Sequence, residues 1–194
     1  MLCFEHVAAE SPGAKALKTF IKDNHYSKSC PPGNTYFGAF YDGVMVGAAV
    51  YRKPSLPKTR VAYQADIELS RLVLLDHCLK NSESRFIGFQ LRWLKKNSWP
   101  TRVISFADPH HGHQGVIYRA ANFQYLGMEK GHGTRRIYVD GEELHSKTAY
   151  DRYGCSGAKL ADLLPHAVVR IEVRPPKHVY VFDLGQKKMS GRSA

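Results

Sequence analysis

Six side chains able to move protons or bind a metal crowd into one short stretch, Ser105 to Gly127, which reads SFADPHHGHQGVIYRAANFQYLG. They are Asp108, His110, His111, His113, Tyr118 and Asn122. A carboxylate accepts a proton, an imidazole exchanges one near neutral pH, and a phenol donates one. Asp108 with His110, His111 and His113 also offers the imidazole and carboxylate donors of a non-haem iron site, as an alternative to solvated loop histidines and no metal. Plainer roles stay open for each. Asp108 can cap the turn before Pro109. Tyr118 can be a half-buried packing residue, and His113 a polar group at a helix start.

The apolar run from Val103 to Ala107 predicts a buried strand that ends at Asp108-Pro109, because proline cannot donate to a ladder. A short helix is expected next, with His113 at its start. Tyr118 and Asn122 are four apart and so share one of its faces. Strand, polar loop and helix together place side chains at the end of a sheet.

Upstream, Leu2 to Val7 reads as a strand. Ser11-Pro12 opens a helix with Ala16, Leu17, Phe20 and Ile21 on one face. Cys30 to Asn34 is a loop. Tyr36 to Tyr41 and Val44 to Tyr51 flank Asp42-Gly43, a hairpin signal. Lys53 to Arg60 reads as an exposed loop, and Ala65 to Leu75 as a central strand. Ser82 is expected to cap a helix to about Lys96, with Phe86, Ile87, Leu91 and Leu94 inward. Downstream, a hairpin is expected around Asp140-Gly141, a helix over Ser156 to Leu164, and a late strand over His178 to Leu184. The order is β-α-β-β-β-α-β-α-β. It predicts one domain over 1–185, with a C-terminal extension from about residue 140 and a basic, disordered tail over 186–194.

The chain has 194 residues, 43% of them apolar, enough for a sizeable core. Four dispersed cysteines with no CxxC pair predict free intracellular thiols. No apolar run approaches a membrane span, and the N-terminus does not read as a secretory signal, so a cytoplasmic location is expected. A net charge of +11 points to a polyanionic partner. Lys53, Lys58, Arg60, Arg135 and Arg136 are candidates for phosphate contact, with surface solubility as the plain alternative. Lys80, Asn81, Ser82 and Arg85 surround a helix start, where free N–H groups attract anions.

The element order resembles the GNAT acyltransferase fold. That resemblance implies an α/β (α+β) domain with a mixed, mostly antiparallel central sheet flanked by helices. It implies that the strand Glu68-Leu69-Ser70-Arg71-Leu72-Val73-Leu74 offers its backbone to an acyl donor, and that Tyr118 is the general acid. The loop over 79–85 holds no glycine, a departure from the glycine-rich signature common in that fold.

A closer resemblance is to the Mom family of phage DNA-modification proteins. It rests on His25-Tyr26-Ser27, Glu68-Leu69-Ser70-Arg71, Lys80-Asn81-Ser82-Glu83-Ser84-Arg85-Phe86, and above all on Asp108 to Gly127. It implies conversion of adenine in double-stranded DNA to N6-carbamoylmethyl adenine, which protects phage DNA from restriction.

That product constrains the chemistry. Acetyl transfer to N6 from acetyl-CoA cannot build N–CH2–CO–NH2. A glycyl ester or thioester can, so glycyl-tRNA or a glycyl thioester is the expected donor. On this reading Asp108 accepts from the N6 amine and His113 shuttles protons. Ser70, Arg71 and Asn122 serve the donor side, and Glu68 is a second acid-base group. A structural Glu68–Arg71 ion pair is the plain alternative. A flipped adenine needs an aromatic platform, for which Tyr36, Phe37, Tyr63 and Tyr125 are candidates. Two other classes fit the same residues: an acyltransferase acting on a small molecule or protein, and a non-catalytic DNA-binding module.

Overall fold

A computed structural model describes residues 1–97, 101–130, 134–144 and 146–185. The chain divides into two compact units. The first holds residues 1–107, 115–127 and the chain from 179 onward; the second holds 108–114 and 128–178. The basic tail 186–194 lies outside the described residues.

The first unit is built on a seven-stranded sheet. Its strands are β1 (Leu2–Ala8), β2 (Thr35–Tyr41), β3 (Val44–Arg52), β4 (Ile67–Leu74), β5 (Arg102–Ala107), β6 (Gln124–Met128) and β10 (His178–Asp183), in the spatial order β1-β2-β3-β4-β5-β10-β6. β1 to β4 pair antiparallel, and the Asp42-Gly43 turn (φ 46° and 81°) joins β2 to β3. Residues in such a turn need positive φ at both positions.

The runs TYFGAFY and VMVGAAVYR are apolar on both faces because helices cover both. Tyr36, Ala48 and Val50 pack against Ala14, Leu17 and Ile21 of α1 (Pro12–Asn24). Phe37, Ala49 and Tyr51 pack against Phe86, Ile87, Leu91 and Leu94 of α3 (Ser82–Asn97). Each of the larger aliphatic and phenyl side chains among them contributes about 1.5–3 kcal/mol on burial. All four expected inward residues of α3 are buried. On α1 the buried alanine is Ala14, and Ala16 is exposed.

Several boundaries differ from expectation for local reasons. Lys53 to Arg60 is not all loop: Pro57–Tyr63 forms α2, with Pro57 in its first turn. Ser82 does not cap α3 but is its first residue, fully buried; Asn81, at φ 66°, turns the chain into the helix. The helix α4 (Val116–Ala120) ends before Asn122, which lies at φ 63° and is exposed. Tyr118 and Asn122 therefore share no helix face. β6 and β10 come from either side of the second unit's main segment, and β10 returns to the large sheet between β5 and β6.

The second unit carries the sheet β8-β7-β9, from β7 (Thr134–Val139), β8 (Glu142–Leu144) and β9 (Val169–Arg174). One face packs Ile137, Val139 and Leu144 on Ala149 and Leu160, from α5 (Ser146–Tyr153) and α6 (Lys159–Leu163). The other face is an ionic network centred on Arg174, whose side chain is 10% exposed. Arg174 donates to Glu172 at 3.2 Å, to Glu143 at 2.7 Å and to the Tyr138 hydroxyl at 3.0 Å. The hairpin at Asp140-Gly141 is present as expected, whereas α5 and β9 were not anticipated. No helix among the described residues is long and apolar enough to cross a membrane, and all four cysteines are free thiols.

Two substitutions test these constraints. Gly115 sits at φ 70°, and a Cβ there would lie 2.2 Å from the Tyr180 ring. Gly115→Ala is expected to cost about 2–3 kcal/mol in chemical denaturation, since Tyr180 is buried and has no room to yield. Arg174→Met leaves two carboxylates and a phenol without their shared donor. It is expected to cost about 2 kcal/mol and to raise proteolytic cleavage within 128–178.

Candidate active site

The strands β4 and β5 run parallel and pair at only three positions: Ile67 with Val103, Glu68 with Ile104 and Leu69 with Ser105. Beyond Leu69 the ladder stops while β4 runs on to Leu74. On its other edge β4 carries a bulge. Leu69 faces Tyr51 and Arg71 faces Val50, so Ser70 is the extra residue. A bulge leaves its residue unpaired and re-aims the neighbouring groups. The sequence marks neither feature, because ELSRLVL reads as an ordinary strand.

Side chains answer the groups exposed where the strands part. Ser105, fully buried, donates its hydroxyl to the Leu69 carbonyl at 3.1 Å. Its oxygen also hydrogen-bonds the Tyr118 phenol. Ser105 has one proton, and Leu69 takes it, so Tyr118 is the donor in that second bond. Burial pushes the Tyr118 phenol up to about 12, with Tyr26, Glu68 and Tyr180 adding to the effect. Tyr118 is thus a closed-in, protonated phenol at the strand divergence. Its ring packs on Tyr180 and Phe123, at centroid distances of 5.3 Å and 5.6 Å. Behind it Tyr51 donates to Gln90 at 2.8 Å, both fully buried. Ser105, Tyr51 and Gln90 were not anticipated. Ser105 was visible only as a polar residue inside an apolar strand.

Arg71 does not form the structural ion pair with Glu68. Its guanidinium donates to the Ser70 carbonyl at 2.7 Å and to the Ser29 carbonyl and hydroxyl at 3.1 Å and 3.2 Å. It therefore straps the loop after α1 across the bulge. Burial lowers its pKa, with Tyr26 and Glu68 pulling the other way. In that loop His25 is buried and its Nδ1 takes the Ser27 N–H and hydroxyl at 3.1 Å and 2.8 Å. The His25-Tyr26-Ser27 phrase is thereby a fixed turn beside β4.

At the start of α3, Lys80, Asn81 and Arg85 are exposed. The Ser84 hydroxyl donates to the Asn81 carbonyl, and the buried Ser82 hydroxyl has no hydrogen-bond partner. Of the aromatic platforms, Tyr36 and Phe37 are fully buried in the core and cannot meet a base. Tyr63 is half-buried and Tyr125 is 44% exposed. Lys53, Lys58 and Arg60 are exposed.

The remaining residues belong to the second unit. Asp108, almost wholly buried, caps the short 3-10 turn Pro109–His111 by accepting the His110 N–H at 3.0 Å. Its carbonyl takes the N–H groups of His111 and His113, and its Oδ2 faces Lys177 at 3.9 Å. His113 lies in the loop after that turn; Gly115, not His113, caps α4. His110 Nδ1 faces Glu172 at 3.5 Å, and burial lowers the pKa of His111 against the pull of Asp108. Among the described residues no three His, Cys, Asp or Glu side chains gather as a metal would need. Asp108, His110, His111 and His113 therefore do not form the iron alternative. Arg135 is exposed, while Arg136 is drawn toward Glu143 at 3.5 Å.

Solved structures share this architecture. A polyamine N-acetyltransferase from Drosophila melanogaster matches with a TM-score of 0.55 at 11% identity, over 94% of this chain and 100% of that one. An acetyltransferase of the GNAT family from Streptococcus pneumoniae matches with a TM-score of 0.52 at 8% identity, over 95% and 100%. These likenesses establish the GNAT fold: a mixed, mainly antiparallel sheet flanked by helices. The methylcarbamoylase mom of Escherichia phage Mu is 33% identical over 166 residues, 78% of this chain and 66% of that protein. The chain thus spans just under two thirds of that relative's length. A sequence profile of the Mom protein family matches residues 6–193. Nearly the whole chain fits that profile, and it belongs to the Mom protein family.

Proposed function

We propose that this chain is a DNA-modifying transferase. It converts adenine in duplex DNA to N6-carbamoylmethyl adenine by acyl or aminoacyl transfer to N6 of a flipped-out base. The observation that carries the reading is the buried, protonated Tyr118 held by Ser105 where β4 and β5 part. Membership of the Mom family and the charge of +11 support DNA as the acceptor.

The donor is an activated glycyl group. N6 attacks the glycyl carbonyl, the bond to the leaving oxygen or sulfur breaks, and N6–CO–CH2–NH2 forms. The free amine then attacks C6 through a five-membered ring. Collapse breaks the original C6–N bond and leaves C6–NH–CH2–CO–NH2, with every atom retained. Tyr118 supplies the proton to the leaving group.

The carrier of the glycyl group is a tRNA ester or a thioester, because acetyl transfer from acetyl-CoA cannot build the carbamoylmethyl group. Ser70 and Arg71 flank the bulge on the donor strand, and Lys80, Asn81 and Arg85 offer polar groups to its phosphates.

Nucleoside mass spectrometry of DNA incubated with protein and isotopically labelled glycyl-tRNA or glycyl thioester tests the reading. Labelled carbamoylmethyl deoxyadenosine is expected with the native chain. The yield should fall at least about a hundredfold in Tyr118→Phe. Label arriving from acetyl-CoA instead, or no modified adenine with folded protein, would refute it.

The raised phenol also makes a pH prediction. Tyrosine ionises near 10 when unfolded and near 12 at position 118, so between these values the folded state holds the extra proton. Stability therefore declines as pH rises above about 10. Denaturation across pH 9 to 11 is expected to show a steeper decline for the native chain than for Tyr118→Phe, and ultraviolet titration should lose one late tyrosine (~1 group) in that variant.

A further inference from the structure

The segment joining β3 to β4 gives the core only Pro54, Tyr63 and Ala65. Residues 53–66, KPSLPKTRVAYQAD, hold three cations, Lys53, Lys58 and Arg60, and one acid, Asp66. The helix α2 within it has no buried residue. Val61 is 80% exposed and Leu56 51% exposed, while Lys58 and Arg60 are exposed beside them. Lys58 and Val61 are three apart and so lie on one face of the helix. A β-branched residue on an exposed helix of seven residues adds neither propensity nor burial.

The helix is nonetheless held firmly. Arg102 donates to the Tyr63 carbonyl at 3.2 Å and pairs with Asp183. Asp66 takes the Thr101 N–H and hydroxyl and the Arg102 N–H at 2.8, 2.7 and 3.2 Å, and Gln64 closes the helix at φ 49°. At the other end the Lys53 N–H is bound by the Asn34 side chain at 3.0 Å. Two exposed apolar side chains are thus presented among cations on a fixed stem.

We infer that α2 is a wedge for duplex DNA: Lys53, Lys58 and Arg60 hold the phosphates while Val61 enters between base pairs and Leu56, at the N-cap, adds apolar surface at the helix start. Apolar side chains set among cations are the means by which proteins unstack a base step, and an unstacked step lowers the cost of extruding an adenine. Charge complementarity selects the occupant, since the exposed charges of the stretch are Lys53, Lys58 and Arg60, and its one acid, Asp66, is taken up by Thr101 and the Arg102 N–H. The inference rests on the reading of this chain as a DNA adenine transferase and supplies the step by which that site reaches its base.

The test compares the modification rate on a fully paired duplex with that on the same duplex carrying one unpaired adenine. Leu56→Ser with Val61→Ser is expected to lower the paired-to-unpaired ratio about tenfold, because an unpaired base needs less unstacking. Val61→Phe, a larger wedge, is expected to keep or raise the ratio, which separates wedging from misfolding. Fluorescence of 2-aminopurine placed at the target should fall in parallel with the ratio. An unchanged ratio in the double serine variant, with the native chain active on paired DNA, would overturn the wedge alone. So would loss of self-association in sedimentation at an unchanged ratio, which would make the patch a contact between copies. A native chain that modifies neither DNA would overturn the transferase reading and the wedge with it.

Discussion

The first unit is organised by one constraint: two parallel strands that begin as neighbours and then separate. Parting strands expose backbone groups inside a folded chain, where an unanswered carbonyl is costly. Here the Leu69 carbonyl is answered by Ser105, and that of the bulged Ser70 by Arg71. Both answers are side chains, so each brings further residues with it. Ser105 fixes the Tyr118 phenol, and Arg71 fixes the loop after α1. The closed-in phenol and the strapped loop follow from two departures from a regular ladder on opposite edges of β4, the divergence from β5 and the bulge against β3.

The second unit solves a different problem, that of holding a histidine-rich turn with little apolar surface. Asp108 closes that turn through its own side chain and carbonyl, and Glu172 ties His110 to the Arg174 network. Hydrogen bonds from Tyr138 and Arg174 hold the Glu172 carboxyl below its ordinary value, so it remains an anion facing the imidazole. The His110 imidazole is thereby drawn to Glu172, and the backbone N–H groups of His111 and His113 to Asp108, rather than three of these side chains gathering around one point. Their types alone could not distinguish these arrangements, because coordination depends on where the side chains meet.

What could be read in the sequence follows the same division between local and long-range causes. The β2–β3 hairpin was legible because Asp42-Gly43 supplies both positive φ angles locally. The inward face of α3 was legible because a period of 3.6 survives any tertiary context. Tyr118 was legible as a phenol in a polar cluster, but its raised pKa comes from burial by chain segments far away in sequence. The shared face of Tyr118 and Asn122 failed because α4 ends at Ala120, two residues short of Asn122. The charged strand β9 was illegible for a related reason. VRIEVR alternates like a strand but carries its charges on the face that meets Arg136, Tyr138 and Glu143, so its partners lie on other strands.

Polar groups left without partners mark where stability gave way to another requirement. The Gln90 Nε2 and the Ser82 hydroxyl are buried with no hydrogen-bond partner, and both lie on α3. Apolar residues at these positions would raise stability, since an unsatisfied buried group costs about 1–3 kcal/mol. Gln90 instead accepts from Tyr51, whose own phenol is pushed far up by burial and by the nearby Tyr118. A core built for stability alone would not set two buried phenols near each other and leave an amide donor unpaired behind them. The Tyr118 phenol is thereby held protonated among buried polar groups, where β4 and β5 part.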